Sequence, residues 1–482
     1  MSRQCLKSLT IFIALLTWSN LQLAAQDYVH EGNITLSNQI EVNNFANAYS
    51  NITVIKGNLF IGNYANKTSI SDLTPLTKLL IVEGSVSIIN TQVTTLQGLH
   101  KLLEVNTLIL GNNDKLESLM ALSQLEKIQN TLQIDANHAL KNLEGLEQII
   151  QIGDTIHSRF QIFNNDGLTS LKGMENLQVI GGNFHIDHND SLQSVEHLSS
   201  LKYVGRYLTM RSNASLTGLK GMDSLDLVGV GITIEKNPVL ASLKYFGTFD
   251  TIPNIFKITE NNALTTLEGL EHITHVMDDI DISKNALLYS LEGLQNLEYC
   301  GGSLEVINNP KLTSFNGLDN LQYIRSQFDI AQNDLLTSLN GLNNLDSLGG
   351  IGIWQNPKLG ICLQPFICDA IKKGKYVYIS DNGNGCSDKD AIANSCGVGV
   401  SINPLIEKDI IVNLMGNNVL HINGLIENAE MFIYLVDGQL LQKTELIGGI
   451  ESFITLKNIN TGIRIINIIG PGVAHSEKIV LH

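Results

Sequence analysis

The sequence predicts an all-β protein: a parallel β-helix of about 24 residues per coil, followed by a small β-sandwich. Three observations carry that prediction. Asn recurs at 90, 113, 137, 165, 189, 213, 237, 261, 285, 309, 333 and 356, and eight of the eleven spacings are 24 residues. A fixed period of roughly 20–50 residues marks a solenoid. Ahead of every Asn but the first, the residues at minus five and minus three are apolar, as in Leu108/Leu110, Phe184/Ile186, Ile232/Ile234 and Phe328/Ile330. That alternation buries one face of a short strand. From Gly399 onward the period is lost and short alternating strands replace it.

Composition narrows the function. Of 482 residues, 43% are hydrophobic and only 16% charged, against roughly 25% charged in an average globular protein. Leu, Ile, Asn and Gly fill the deficit, so the chain is a packed repeat and not a disordered one. Lys+Arg total 31 against 47 for Asp+Glu, a net charge of −16, and no basic run with interleaved aromatics is present. Nothing in this balance can neutralise a phosphate backbone, which excludes nucleic acid as a partner.

Residues 1–25 read as a signal peptide. Arg3 and Lys7 supply a positive start, 9–18 an apolar run, and Leu23-Ala24-Ala25 a cleavage site before Gln26, between Ala25 and Gln26. The run is shorter than the roughly 20 residues that span a bilayer, and no later segment is longer, so no transmembrane span is expected. Residues 26–56 read as an N-terminal cap, because a terminal coil otherwise exposes its interior and its strand edge. Within the cap, 32–36 is a strand and 37–49 a helix with Val42, Phe45 and Ala46 inward, and 57–61 opens the first coil.

Residues 57–361 are the coils. Each runs strand, Asn turn, then apolar residues three, six and nine positions on, as in Leu168, Leu171 and Met174 after Asn165, with Gly near the corners at 173, 221, 269, 293, 317 and 341. Steps of three suit short straight edges better than a 3.6-residue helix. Stacked in register, Asn113, Asn137, Asn165, Asn189, Asn213, Asn237, Asn261, Asn285, Asn309, Asn333 and Asn356, with Asn90 ahead of them, form a ladder of inward amides that pair with otherwise unsatisfied backbone groups. The one 28-residue spacing contains 153–158, read as an outward loop.

Residues 362–398 form a C-terminal cap holding Cys362, Cys368, Cys386 and Cys396, with 366–373 helical. The spacings are not paired CxxC and no His completes a set, so two disulfides are expected in place of a metal, with three pairings open. Cys300 stands where other units carry Ile180, Val204 or Ile324, which makes it a buried, inert thiol. Residues 399–482 form the sandwich, with strands at 410–414, 419–422, 430–436, 452–456, 463–468 and 478–481.

Outward strand positions change type from unit to unit, through Gln133, Gln161, His185, Thr209, Thr233, Lys257, Asp281, Glu305, Asp329 and Gly352, and no acid/base constellation repeats or clusters. There is no nucleophile elbow, phosphate-cradling loop or HExxH. No catalytic residue, cofactor or metal is therefore assigned. His185, Asp187 and His188 are the most suggestive surface patch, since the first two share a strand face within metal-binding reach, but they read as solvated surface.

Units such as Leu-Thr-Ser-Leu-Lys-Gly-Met-Glu-Asn-Leu-Gln-Val-Ile-Gly-Gly-Asn-Phe-His-Ile, at 168–186, resemble the receptor L-domain family over roughly 32–396. The resemblance implies a right-handed parallel β-helix related to leucine-rich repeats, and binding in place of catalysis. By analogy with disulfide caps of leucine-rich repeat proteins, it also implies Cys362 with Cys386 and Cys368 with Cys396. Ile402-Asn403-Pro404, the run from Tyr434 to Leu440, and 456–462 before Lys478-Ile479-Val480 resemble the C-terminal sorting domain of type IX secretion, with Ile402 and Arg464 departing from its usual pattern. That implies the type IX secretion machinery as a partner. The expectation is an exported, non-enzymatic binding or adhesion solenoid for a protein or glycan ligand, at the outer-membrane surface or extracellular after passing the periplasm. The alternatives are a polysaccharide-active parallel β-helix enzyme and a purely structural surface-matrix protein.

Overall fold

The structure, a computed structural model, describes residues 28–397, 411–415, 419–423, 428–435, 439–448, 451–456, 462–470 and 473–481. The expected signal peptide with its Ala25/Gln26 junction, and the Ile402-Asn403-Pro404 motif, lie outside the described residues.

The repeat folds as expected into a parallel β-solenoid, built on one 24-stranded sheet. Seven consecutive central coils carry a two-residue strand and a longer one. Val179–Ile180 pairs with Tyr203–Val204, and after a bend at Gly181 and Gly182 the strand Asn183–Asp187 pairs with Tyr207–Arg211. Fifteen outward residues stand in one column across the longer strands, from Thr35 and Phe60 through His185 to Gly352 and Tyr378. Inward residues close the core. In one coil Phe184, Ile186, Leu192, Val195, Leu198, Leu201 and Val204 have no exposed surface, each burial contributing about 1.5–3 kcal/mol.

The Asn ladder holds the coils in register. The Asn237 side-chain amide donates to the carbonyls of Met210 and Glu235, both at 3.1 Å, and to Asn261 Oδ1 at 3.2 Å, while Asn261 Oδ1 also accepts the Asn237 backbone N–H at 3.1 Å. The residue before each ladder Asn, from Asn112 to Gln355, has φ between +52° and +59°. An ordinary side chain is costly there, and the amide bonds hold the corner in place. The ladder differs from expectation at both ends. Asn90 is not a rung: it occupies the positive-φ corner (φ +58°), and Thr91 takes the inward place, donating from N and Oγ1 to Asn113 Oδ1 at 3.0 and 2.6 Å. The inward rungs Thr91 and Asn113 are 22 residues apart, and the one-position slip makes the Asn-to-Asn spacing 23. At the other end Asn382 adds a rung, accepting the Asn356 N–H at 3.0 Å and donating to the Ile353 carbonyl at 2.9 Å.

The opposite corners use glycine. At Gly317 (φ +104°) a Cβ would lie 2.3 Å from the Leu291 carbonyl of the previous coil, and the Gly317 N–H is bound by Asp319 Oδ2 at 3.0 Å. Glu147, Glu175, Glu271 and Gln295 serve Gly145, Gly173, Gly269 and Gly293 alike. The next residue supplies a second, outer ladder: Asn176, Asn296, Asn320 and Asn344 donate to the carbonyls of Glu147, Glu271, Gln295 and Asp319 at 2.6–2.8 Å.

At the front, Ile34–Leu36 already pairs with Leu59–Gly62, so the cap shares the sheet. The expected helix is broken at Asn44 into Gln39–Asn43 and Phe45–Ala48. Val42 and Phe45 are buried, but the break turns Ala46 outward, against expectation. At the back, Pro365–Lys372 is helical, and Tyr376–Ser380 pairs with Ser347–Trp354, so the sheet runs one coil into the cysteine-bearing segment. Cys362 is bonded to Cys386 and Cys368 to Cys396, with Cα atoms 5.3 and 5.2 Å apart.

The C-terminal residues form two antiparallel sheets of a small β-sandwich. Ile411–Met415, Val419–Asn423 and Ser452–Thr455 make one; Leu440–Leu446, Ala429–Leu435, Gly462–Gly470 and Val473–Leu481 make the other. Leu420, Ile422, Met431, Ile433, Ile466 and Ile468 fill its core. The strand Leu440–Leu446 was not expected: Leu440 and Leu441 are both exposed, Gln442 and Thr444 are polar, and only Leu446 is buried, so its alternation is weak.

Candidate functional site

The outward face of the long sheet is where the coils differ from one another. Its charged centre is a chain of ion pairs across neighbouring rungs. Arg211 donates to both oxygens of Asp187 at 3.0 and 2.8 Å and lies 3.6 Å from Glu235, which pairs with Lys257 at 3.0 Å. Burial works against the ionised form of Glu235, but the hydrogen bond and charge of Lys257, with Arg211, outweigh it and hold the carboxyl below its ordinary range. The His185, Asp187 and His188 patch is not assembled into a metal centre. Asp187 is committed to Arg211, and His188 sits on the positive-φ corner (φ +53°), off the strand. His185 does share the face with Asp187, and burial lowers its pKa in spite of that carboxylate. Among the described residues no group of three or more His, Cys, Asp or Glu is placed to hold a metal.

One expectation is overturned. Outward carboxylates do cluster: register places Asp281 beside Glu305 and Glu305 beside Asp329 on consecutive rungs, about 4.8 Å apart by strand spacing. No cationic side chain forms an ion pair with any of the three among the described residues. Burial raises the pKa of Asp281 and Asp329. It raises that of Glu305 too, reinforced by the negative charges of Asp281, Asp329 and Asp279. The sequence names all three residues, but spaced 24 apart they read as variation. Only the register shows a row.

The row runs into aromatic residues at the last coils. Gly350 and Gly352 occupy successive outward positions, between Gln327 and Asp329 on one side and Tyr376 and Tyr378 on the other. A Cβ on Gly352 would meet the Trp354 ring at 2.7 Å and Asp329 Oδ1 at 2.5 Å; one on Gly350 would meet Tyr376 Cβ at 3.1 Å. The bare strand is therefore overlaid by aromatic side chains. Trp354 and Tyr378 lie 6.1 Å apart at 60°, and Tyr376 and Tyr378 are 57% and 46% exposed. On the shorter strands a second aromatic line, His275, Tyr299 and Tyr323, stacks at 5.8 and 5.3 Å.

Cys300 is a free thiol buried in the solenoid core, and burial pushes its pKa up to about 12, which suits it to packing and not to nucleophilic attack. Compared with protein-family models and with curated proteins, the chain matches no family model and no curated relative.

Proposed function

We propose that the protein is an exported, non-enzymatic binding or adhesion solenoid, of the receptor L-domain kind, carried to the cell surface or medium by type IX secretion. The observation that carries this reading is the fifteen-rung outward column, whose side chains vary along the coils, repeating on adjacent rungs only at Gln133/Gln161 and Thr209/Thr233, over an inner scaffold that stays apolar throughout. Such a face varies its ligand chemistry without touching the core. Two disulfides support an oxidising destination. No helix of the described residues is long and apolar enough to cross a membrane. The sorting role rests on the resemblance of the C-terminal sandwich.

Two experiments test this. The purified chain, applied to a glycan array and a protein pull-down, should retain at least one ligand and show no turnover of polysaccharide. Fractionation in a type IX-competent host should find the full chain outside, and a chain truncated after Val398 trapped in the periplasm. Equal export of both forms would remove the sorting role.

The acid row favours a second reading, polysaccharide hydrolysis. Strand spacing sets neighbouring rungs about 4.8 Å apart, near the roughly 5–5.5 Å carboxyl separation of a retaining glycosidase pair, and a raised pKa suits a general acid. Turnover of any polysaccharide, abolished by Glu305→Gln, would establish it over the binding reading.

A further inference from the structure

The strongest unassigned feature is the junction of the acid row with the aromatic coils. We infer that Asp281, Glu305 and Asp329, with Trp354, Tyr376 and Tyr378, form a binding site for a cationic polysaccharide, a chain of unacetylated amino sugars. This rests on the binding reading above and names its ligand class.

Charge selects the ligand first. Three carboxylates in line outnumber the one cation on the adjoining rung, Lys257 beside Asp281, which is itself paired with Glu235; the row repels anionic glycans and attracts ammonium groups, and charge-assisted hydrogen bonds to carboxylate are about twice as strong as neutral ones. The rings select next. Overlying a strand without outward side chains at Gly350 and Gly352, they offer faces to the C–H side of a pyranose, and a nearby ammonium gains from the ring quadrupole. Asp329 joins the two halves, since its Oδ1 and the Trp354 ring both flank Gly352. A sugar bound there meets acid and ring together.

A basic peptide is the competing occupant, and backbone geometry disfavours it. The strands from Ile280–Ser283 to Ser347–Trp354 pair on both sides within the sheet, so along the acid row an extended peptide finds no free edge and would bind through side chains alone; a main-chain partner is open only beyond the row, on the outer side of Tyr376–Ser380. Amino sugars carry donors on every ring and need no main-chain partner.

Fluorescence reads the site directly, because the chain has only two tryptophans, Trp18 and Trp354. The full chain is titrated with a glucosamine hexamer, an N-acetylglucosamine hexamer and hexalysine, with Trp354→Phe identifying the signal. The glucosamine hexamer should shift Trp354 emission and bind about tenfold or more tighter than either competitor. The triple variant Asp281→Asn, Glu305→Gln, Asp329→Asn should lose about tenfold or more in affinity with no fall in melting temperature, and Tyr378→Ala should weaken binding as well. Equal binding of hexalysine would mean that charge alone acts, and equal binding of the acetylated hexamer that the rings alone act; either overturns the inference. No binding of the glucosamine hexamer also overturns it. If the glycan array then shows another ligand, retained by the triple variant, the binding reading stands and only this site falls. If the array is empty too, both fall.

Discussion

Replacing Asn237 with Ala tests whether the amide ladder, and not apolar stacking alone, sets the register of the coils. The side chain has two kinds of partner. Its Oδ1 accepts the Asn213 backbone N–H at 3.1 Å and the Asn213 amide at 3.3 Å, and its Nδ2 donates to the Met210 carbonyl at 3.1 Å. The Asn213 amide keeps the Ile186 carbonyl at 3.0 Å, so it is not stranded. The Asn213 N–H loses this partner in a site with no exposed surface, whereas the Met210 carbonyl keeps the bond that the Arg211–Glu235 register of the sheet supplies. A stranded buried group costs about 1–3 kcal/mol, which puts Asn237→Ala at about 1–3 kcal/mol. Thr233→Ala, on the outward face of the strand preceding that corner, should stay within about 0.5 kcal/mol. Urea denaturation followed by circular dichroism gives the midpoints, and amide exchange at Asn213 gives the local effect. Matching midpoints for the two variants, with Asn213 still protected, would refute the ladder.

Glu305→Gln should stabilise the protein. Because burial and neighbouring carboxylates raise the Glu305 pKa, the folded state holds this proton more tightly than the unfolded state. The resulting destabilisation is fully present above the raised pKa and fades as pH falls through it toward the ordinary carboxylate value. At pH 7 the variant should gain a few tenths to about 1 kcal/mol, screened by salt, with little gain near about pH 4; a loss at pH 7 would contradict the row. Gly317→Ala should lower stability by more than about 1 kcal/mol, since its Cβ would meet the Leu291 carbonyl at 2.3 Å, while Gly218→Ala, with nothing within 4 Å, should be close to neutral. Thermal melts of both would show whether the glycine corners are required. Peptide mapping without reductant should find the bonds 362–386 and 368–396, and Cys300 should resist alkylation until the protein is unfolded. Rapid native labelling of Cys300 would contradict its burial.

How much was legible in the sequence follows from what repeats. Leu192, Val195, Leu198 and Leu201 declare the core because steps of three recur in every coil, and Cys300 shows its burial by replacing Ile or Val. The slip at Asn90 was not legible, because Asn is favoured both in the left-handed corner and on the inward rung, and spacing alone does not say which it fills. Ala46 was misplaced because a continuous helix was assumed where Asn44 breaks it. Leu440–Leu446 gave too weak an alternation to read as a strand. The acid row needed register. Neighbours across a parallel sheet are separated by a whole coil of sequence, and the type of side chain at each position hides which positions touch.

The 28-residue coil has a consequence for how this molecule can vary. Its extra residues, including Gly153 and Asp154, leave at a bend, and the Asn137 and Asn165 amides still meet across the enlarged coil, with the Asn137 N–H 3.0 Å from Asn165 Oδ1. Each inner junction therefore tests only its immediate neighbours. A unit duplicated or excised between two inner Asn residues recreates the same junction, and a stretch inserted at the bend leaves the inner spine intact. Length and ornament are thus separate, heritable degrees of freedom: the rod can grow by whole coils and sprout loops while its two ends stay as they are. A ligand-bearing segment could be transplanted between relatives as a cassette of consecutive coils, cut at the corners beside the ladder.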